Sequence, residues 1–162
     1  MSSHQSARSK SVTYLTPPEW LAALGPFDLD PCAAPSPRPW PTAARHIELP
    51  EDGLAAEWRG RVWCNPPFGK AAGAWAARMA DHGDGVLLLP ARTETATWYA
   101  SVWGRADAVL FVRGRPNFHL PDGSRAPYNS GCPIALIAYG PSNAAALRAS
   151  GLGVVVSVSA IA

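Results

Sequence analysis

The feature that most constrains the fold is a regular alternation in the second half of the chain. Short, almost wholly apolar stretches, typical of strands buried on both faces, lie at residues 85–90, 108–112 and 134–139. Segments with helical periodicity lie at residues 71–82, 95–103 and 142–150. Apolar strands alternating with helices of about ten residues predict an α/β domain, with a mostly parallel sheet and helices on both faces. We interpret a last strand, residues 153–161, as an antiparallel edge.

The first half of the chain is less regular. The sequence Thr-Pro-Pro-Glu at residues 16–19 predicts a helix start, with Thr16 as the N-cap and a proline in the first turn. Gly-Pro at residues 25–26 ends this helix, and short strands are predicted at residues 27–30 and 61–64. The four prolines among residues 35–41 exclude regular structure there.

Length and composition indicate one globular domain. The chain has 162 residues, of which 48% are hydrophobic and 16% charged, so it can bury a core of its own. We predict a flexible tail at residues 1–12 and a single domain at residues 13–162. No secretory signal and no run of ~20 apolar residues is found, which predicts a cytoplasmic protein without membrane contact. The net charge of +2 neither requires nor excludes a nucleic-acid partner.

The cysteines do not form a metal or redox motif. Cys32, Cys64 and Cys132 are odd in number, and no two have the short spacing of a zinc or dithiol site. We interpret them as reduced thiols, and we predict no metal site.

The sharpest chemical signal follows the strand predicted at residues 61–64. It is the tetrapeptide Asn65-Pro66-Pro67-Phe68. The Asn65 side-chain oxygen and the Pro66 carbonyl are two acceptors that can take the hydrogens of an exocyclic amine, which makes that nitrogen more nucleophilic. The consecutive prolines stiffen the loop, and Phe68 offers a flat face on which a flipped-out base can stack. The alternative interpretation is that the prolines only end a strand and that Phe68 fills the core.

At this point the chain resembles the short phage-type DNA N6-adenine methyltransferases, whose catalytic element is Asn/Asp-Pro-Pro-Tyr/Phe. The resemblance extends from residue 16 to about residue 139. Its segments, in the family's order, are residues 29–33, 52–54 with Trp58, 65–68, 88–95 with Trp98, and 111–115 with Phe118.

The resemblance implies a single, shortened Rossmann-like methyltransferase domain that uses S-adenosylmethionine and double-stranded DNA. The catalytic residues it implies are Asn65, Pro66, Pro67 and Phe68. The cofactor-binding residues it implies are Thr16, Pro17, Asp30, Pro31, Cys32, Ala33, Asp52 and Asn65. The residues that we interpret as DNA contacts are Arg92, Arg113, Arg115 and Asn117. Transfer is expected to be direct, so no cysteine acts as a nucleophile, and the expected location is the cytoplasm of a bacterial host.

The sequence also departs from the methyltransferase pattern. No glycine-rich loop follows the first strand, and Glu48 and Glu51 are the only carboxylates near the usual ribose-binding position. No separate target-recognition domain is visible, so specificity would have to come from loops, from a homodimer or from a partner, or else be low. Two alternatives stay open: a methyltransferase acting on an RNA base amine or a protein glutamine, and a non-catalytic nucleic-acid-binding phage accessory protein.

Overall fold

The computed structural model describes residues 13–158. The tail predicted at residues 1–12 and the end of the last predicted strand, residues 159–162, lie outside the described residues. The elements of the described part, in chain order, are α1 (Pro18–Leu24), β1 (Leu29–Asp30), β2 (Arg45–His46), β3 (Val62–Cys64), α2 (Ala72–His82), β4 (Gly85–Pro90), α3 (Ala96–Ser101), β5 (Ala108–Val112), β6 (Ile134–Tyr139), α4 (Pro141–Ala149) and β7 (Gly153–Ser157).

The elements predicted in the second half of the chain are confirmed almost residue for residue. Strands β4, β5 and β6 have the predicted bounds, and α2, α3 and α4 lie within one or two residues of theirs. Helix α2 ends at Gly83, whose φ of 78° places it in the left-handed conformation that favours glycine. In the first half, β1 is shorter than predicted.

The prediction of a mostly parallel sheet was wrong: the observed sheet is mixed. Its strand order is β2-β1-β3-β4-β6-β5-β7. Strands β1 to β4 are parallel, whereas β6 runs antiparallel to both β4 and β5, and β7 antiparallel to β5. The antiparallel component is therefore not confined to the edge.

The reason lies in the connection between β5 and β6. A parallel return needs a crossover, usually a helix, but residues 113–133 form no helix and contain four prolines and three glycines. The chain therefore turns back at the same edge of the sheet and enters β6 in the opposite direction. This segment, called the return loop below, ends up at the edge where β1, β3, β4 and β5 finish.

Helices cover both faces of the sheet, as predicted. On one face α2 and α3 pack on the sheet through Trp75, Met79 and Trp98. On the other face α1 and α4 do so through Trp20 and Leu147. Consecutive residues of β4 alternate between these two cores, and residues 86–89 are all buried, which explains its continuous apolar sequence.

The sheet has a switch point between β1 and β3. After β1 the chain moves outward to β2, returns to β3 on the other side of β1, and then proceeds to β4. In open α/β sheets, ligands bind in the crevice at the carboxyl ends of strands that diverge in this way. Asp30 ends β1 and Asn65 directly follows β3, so the two most prominent polar residues of the sequence lie at this crevice.

Candidate active site

The Asn65–Phe68 loop lies at the carboxyl end of β3, before α2 begins. Asn65 is half-buried and Pro66 is buried, whereas Pro67 is exposed. The Phe68 side chain is 43% exposed. The interpretation that Phe68 fills the core is therefore wrong: Phe68 is exposed at the surface, three residues after Asn65.

The Asn65 side chain makes one bond to Thr16. Its Nδ2 donates to Thr16 Oγ1 at 3.2 Å, which leaves Oδ1 on the other side of the carboxamide. Within residues 13–158 this is the only side-chain hydrogen bond of Asn65, and no bond to the Pro66 carbonyl is present there. Both acceptors named from the sequence are thus free of partners in the described part of the chain.

The prediction of Thr16 as a helix N-cap was wrong. The N-cap of α1 is Pro17, and no side chain caps the helix. The two prolines shift the first helical residue to Pro18, so Thr16 lies one residue before the cap position. Its hydroxyl instead meets Asn65, and Thr16 and Pro17 are both buried beside the catalytic candidate.

Asp30 is a buried carboxylate at the end of β1, only 3% exposed. It accepts hydrogen bonds from the Cys32 backbone N–H at 3.0 Å and from the Thr42 hydroxyl. Burial raises its pKa to about 6, against the lowering effect of these bonds and of the Arg38 charge. A cation placed beside this carboxylate would relieve the cost of its burial.

The segment Asp52-Gly53-Leu54 lies directly against the end of β1. A β-carbon added at Gly53 would overlap the Pro31 carbonyl oxygen, so only glycine permits this approach. The Gly53 carbonyl accepts from Trp58 Nε1 at 2.7 Å, which fixes the segment to the core. Asp52 is exposed and accepts from the Leu54 N–H at 2.9 Å. The structure thus brings this segment to Pro31, as a shared site requires.

The thiols near the site are poor nucleophiles. Burial, and then the Asp30 charge, raise the pKa of Cys32 to about 12. Burial raises the pKa of Cys64 well above its usual value. Because the thiolate is the reactive form, these raised pKa values disfavour both cysteines as nucleophiles at neutral pH, and the three cysteines form no disulfide.

Three residues that support the site were missed from the sequence. Thr42 donates to Asp30, and His46 Nε2 accepts from the Thr42 N–H at 3.1 Å. Trp40 Nε1 donates to the Thr16 carbonyl at 3.2 Å. The proline-rich segment that precedes Thr42 was interpreted only as irregular, although it leads the chain to Thr42 and contains Trp40.

The carboxylate at the usual ribose-binding position is already engaged. Glu48 accepts from Ser36 and pairs with Arg38 at 3.2 Å. These bonds, those of Ser36 first, lower the pKa of Glu48. Glu51, the other carboxylate considered there, is exposed and pairs loosely with Arg45 at 3.8 Å.

The residues interpreted as DNA contacts all lie at the carboxyl edge of the sheet. They differ in how many hydrogen bonds their side chains already make within the chain. Arg92 follows β4, while Arg113 and Arg115 follow β5, and all three are exposed. Arg115 donates to the Gly131 carbonyl at 2.9 Å across the return loop. Both polar atoms of Asn117 are engaged within the same loop, by Ala126 and Arg125. Asn117 therefore holds the loop together and has little capacity left for a ligand.

Residues 13–158 contain no group of three or more His, Cys, Asp or Glu side chains placed to hold a metal ion. The same part of the chain has no helix with the length and apolarity needed to cross a membrane.

The mixed, helix-covered sheet and the polar loops at its switch point define a methyltransferase-like α/β domain. A family model described as DNA N-6-adenine-methyltransferase (Dam) matches residues 11–141, and the chain belongs to this family. The match confirms the family indicated by the sequence motifs. Comparison with curated proteins and with solved structures finds no match.

Proposed function

We propose that this protein transfers a methyl group from S-adenosylmethionine to the N6 amino group of adenine in DNA. The observation that carries the proposal is the carboxamide of Asn65. It lies at the switch point of the sheet, at the same strand edge as the buried Asp30 carboxylate, with its nitrogen bound to Thr16 at 3.2 Å. Membership of the DNA N-6-adenine-methyltransferase family supports the same reaction.

Asn65 and Pro66 prepare the amine for reaction. The N6 lone pair of adenine is delocalised into the ring, so the nitrogen needs help to become nucleophilic. The Asn65 Oδ1 and the Pro66 carbonyl each accept one N6 hydrogen, which favours a tetrahedral nitrogen. Neither oxygen is a strong base, so the proton lost from N6 passes to water. The two prolines hold the acceptors in place before the base arrives.

Phe68 holds the base. An adenine within a duplex is inaccessible, so it must be flipped out and bound by stacking. The exposed ring of Phe68, three residues after Asn65, provides a stacking surface at the required place.

Asp30 and its neighbours fit the cofactor. S-adenosylmethionine, when bound, supplies an electrophilic methyl group on a cationic sulfonium for direct transfer. Asp30 would receive its positive methionyl end, since burial has raised the pKa of this carboxyl and a cation would stabilise the charged form. Pro31, Cys32 and Ala33 would line the same strand end. Asp52, exposed and held against Pro31 by the Gly53 contact, would bind a polar group of the cofactor.

DNA would bind across the carboxyl edge of the sheet. Lys70, Arg92 and Arg113 are exposed there, and none of them has an acidic partner among the described residues. Free cations along one edge suit a phosphate backbone. Phe68 lies at the same edge, so the charges and the stacking ring face one substrate.

The test is methyl transfer from radiolabelled S-adenosylmethionine to unmethylated duplex DNA, with RNA and a glutamine-containing protein as parallel acceptors. We expect label in DNA, recovered as N6-methyladenine. Label in RNA or on glutamine would mean that RNA or protein, and not DNA, is the acceptor. No label anywhere, together with no cofactor binding by calorimetry, would mean a non-catalytic accessory protein.

The matched variants are Asn65→Ala and Asn65→Asp. Alanine removes the acceptor and should abolish transfer while sparing cofactor affinity. Aspartate keeps an acceptor oxygen and should retain part of the turnover. Equal turnover of the wild type and Asn65→Ala would contradict the role of this loop.

A further inference from the structure

We propose that Thr16 is a positioning residue: it restrains the Asn65 carboxamide in the orientation in which Nδ2 faces the Thr16 hydroxyl and the amide oxygen is left for the reacting amine. The return loop, in turn, holds Thr16. This inference rests on the proposed function, because it assigns the support of the same catalytic group.

The need for such support follows from the shape of a carboxamide. Its oxygen and its NH2 group are nearly equal in size, but only the oxygen can accept a hydrogen from adenine N6. A carboxamide that rotates by half a turn would oppose one NH2 group to another. In the structure Asn65 Nδ2 faces Thr16 Oγ1 at 3.2 Å, which places Oδ1 on the side away from Thr16. No other side-chain bond within residues 13–158 restrains this amide.

Thr16 can restrain the amide because it is itself fixed. Its side chain is 2% exposed. The residue before it, Leu15, exchanges two backbone hydrogen bonds with His119 of the return loop, at 2.8 and 2.9 Å. Trp40 Nε1 donates to the Thr16 carbonyl at 3.2 Å, and Pro17, which follows, has a fixed φ. The hydroxyl therefore has a defined position relative to β3.

The return loop links this support to the DNA-facing edge. Phe118, next to His119, is buried and packs edge-on against Trp20 of α1. The same loop carries Arg115, whose guanidinium donates to Gly131. The backbone that holds Leu15 thus belongs to the segment that we expect to lie along DNA.

The experiment compares Thr16→Val, which keeps the shape but removes the hydroxyl, with Thr16→Ser, which keeps the hydroxyl. We expect Thr16→Val to lower kcat about tenfold, as the loss of one hydrogen bond at the reacting group would do. The dissociation constant for S-adenosylmethionine, measured by calorimetry, should stay within twofold of the wild type. Thr16→Ser should restore kcat to within a few-fold. A purely structural role would not separate kcat from cofactor affinity in this way.

A second readout does not depend on activity. In the wild type, the side-chain NH2 protons of Asn65 should exchange with solvent more slowly than those of Asn129, an exposed asparagine of the return loop. In Thr16→Val this protection should disappear. This measurement on the wild type keeps the proposal testable even if Thr16→Val fails to fold.

Three results would overturn the inference. They are an unchanged kcat in folded Thr16→Val, a weaker cofactor affinity at unchanged kcat, and Asn65 protons that exchange as fast as those of Asn129. The second would make Thr16 a cofactor contact instead. Absence of methyl transfer in the wild type would contradict the proposed function, whereas the exchange measurement would still report on the contact between Thr16 and Asn65.

Discussion

Two asparagines at opposite edges of the sheet differ in how fully their side chains are hydrogen-bonded, and this difference matches the different roles that we propose for them. Asn143, at the amino edge, is fully buried, and its Nδ2 donates to Asp84 at 2.8 Å and to the Tyr139 carbonyl at 2.7 Å. Its Oδ1 accepts from Arg61 Nε. Asn65, at the carboxyl edge, is half-buried and has Thr16 alone as a side-chain partner within residues 13–158. A satisfied amide joins elements, whereas an unused acceptor is available to a ligand.

The arginine side chains at the two edges also differ in how far they are engaged by neighbouring residues. At the amino edge, Arg105 pairs with Asp81 at 2.7 Å, and the Arg61 guanidinium stacks on Phe27. Burial lowers the pKa of Arg61, against the raising effect of Asp84 and Asp28. At the carboxyl edge, Arg92 and Arg113 are exposed and have no acidic partner in the described part of the chain. The cations named at the amino edge are thus paired or stacked within the chain, whereas Arg92 and Arg113 are not.

The largest effects should come from replacing each of the two asparagines, one at a time, with alanine. Asn65→Ala should lower single-turnover methylation by at least ~10²-fold, the usual cost of losing a positioned polar group at a reacting centre, with little change in unfolding free energy. Asn143→Ala should lower that free energy by ~1–3 kcal/mol, because it leaves Arg61 Nε and Asp84 Oδ1 without their Asn143 partner, while the folded fraction keeps its turnover. Urea unfolding and single-turnover assays measure the two effects. The comparison breaks down if both variants lose stability and activity in parallel.

The next effect concerns the pH dependence of stability. The pKa of Asp30 in the folded protein is about 6, above its ordinary value of 3.8, so its contribution to stability is present below about pH 4 and lost as pH rises through 6. A shift of this size corresponds to ~3 kcal/mol. Asp30→Asn should remove this decline, bind S-adenosylmethionine more weakly, and be at least as stable as the wild type at pH 8.

The test compares the wild type with Asp30→Asn. Urea titrations at pH 4.5, 6 and 8 measure the difference. Parallel curves for the wild type and Asp30→Asn would contradict the assignment of the titration to this carboxyl.

A smaller effect is expected at the stacking surface. Phe68→Ala should weaken binding of DNA with a flipped target base by ~1–3 kcal/mol, the usual contribution of one stacked base. Phe68→Tyr should bind as the wild type does. Tyr99 of α3, which is 69% exposed, offers a control at which alanine should have no effect. Fluorescence of 2-aminopurine at the target position reports the binding, and an equal loss at both positions would remove Phe68 from the site.

The smallest effect concerns single phosphate contacts. Arg92→Ala and Arg113→Ala should each reduce the slope of log K against log salt concentration by about 0.9, the contribution of one phosphate contact. Arg59→Ala should leave the slope unchanged, since Arg59 pairs with Glu57 at 2.8 Å near the amino edge. A fluorescence anisotropy titration at several salt concentrations measures the slopes. If Arg59→Ala reduces the slope as much as Arg113→Ala does, DNA does not bind preferentially at the carboxyl edge.

The sequence predicted those parts of the fold that depend on local pattern. Strand β4 and helix α2 were found from apolar runs, from periodicity and from Gly83 as a helix end, all of which act within a few residues. The direction of β6 was missed, although the prolines of the return loop already excluded the helix that a parallel crossover requires. The placement of this strand depends on how a distant segment returns, which periodicity does not encode.

The sequence singled out the polar side chains of the candidate site but not the residues that hold them in place. Asp30 stood out because it ends a predicted strand and Asn65 because it follows one, and the structure has both at the switch point. The hydroxyl of Thr16 was assigned to its own helix, because an N-cap is a local interaction, whereas its partner lies at position 65. Thr42 and Trp40 were missed for the same reason: their partners are reached only by a fold around the proline-rich segment.

The place of β6 between β4 and β5 also affects how the chain can fold during synthesis. Translation proceeds at ~5–20 residues per second, and β5 emerges before either of its neighbours, β6 and β7. Until residues 134–139 follow, β4 has an unpaired apolar edge and β5 has no partner strand. Nascent chains stalled before β6 should therefore require a chaperone, and the sheet should close late, after its parallel half has formed.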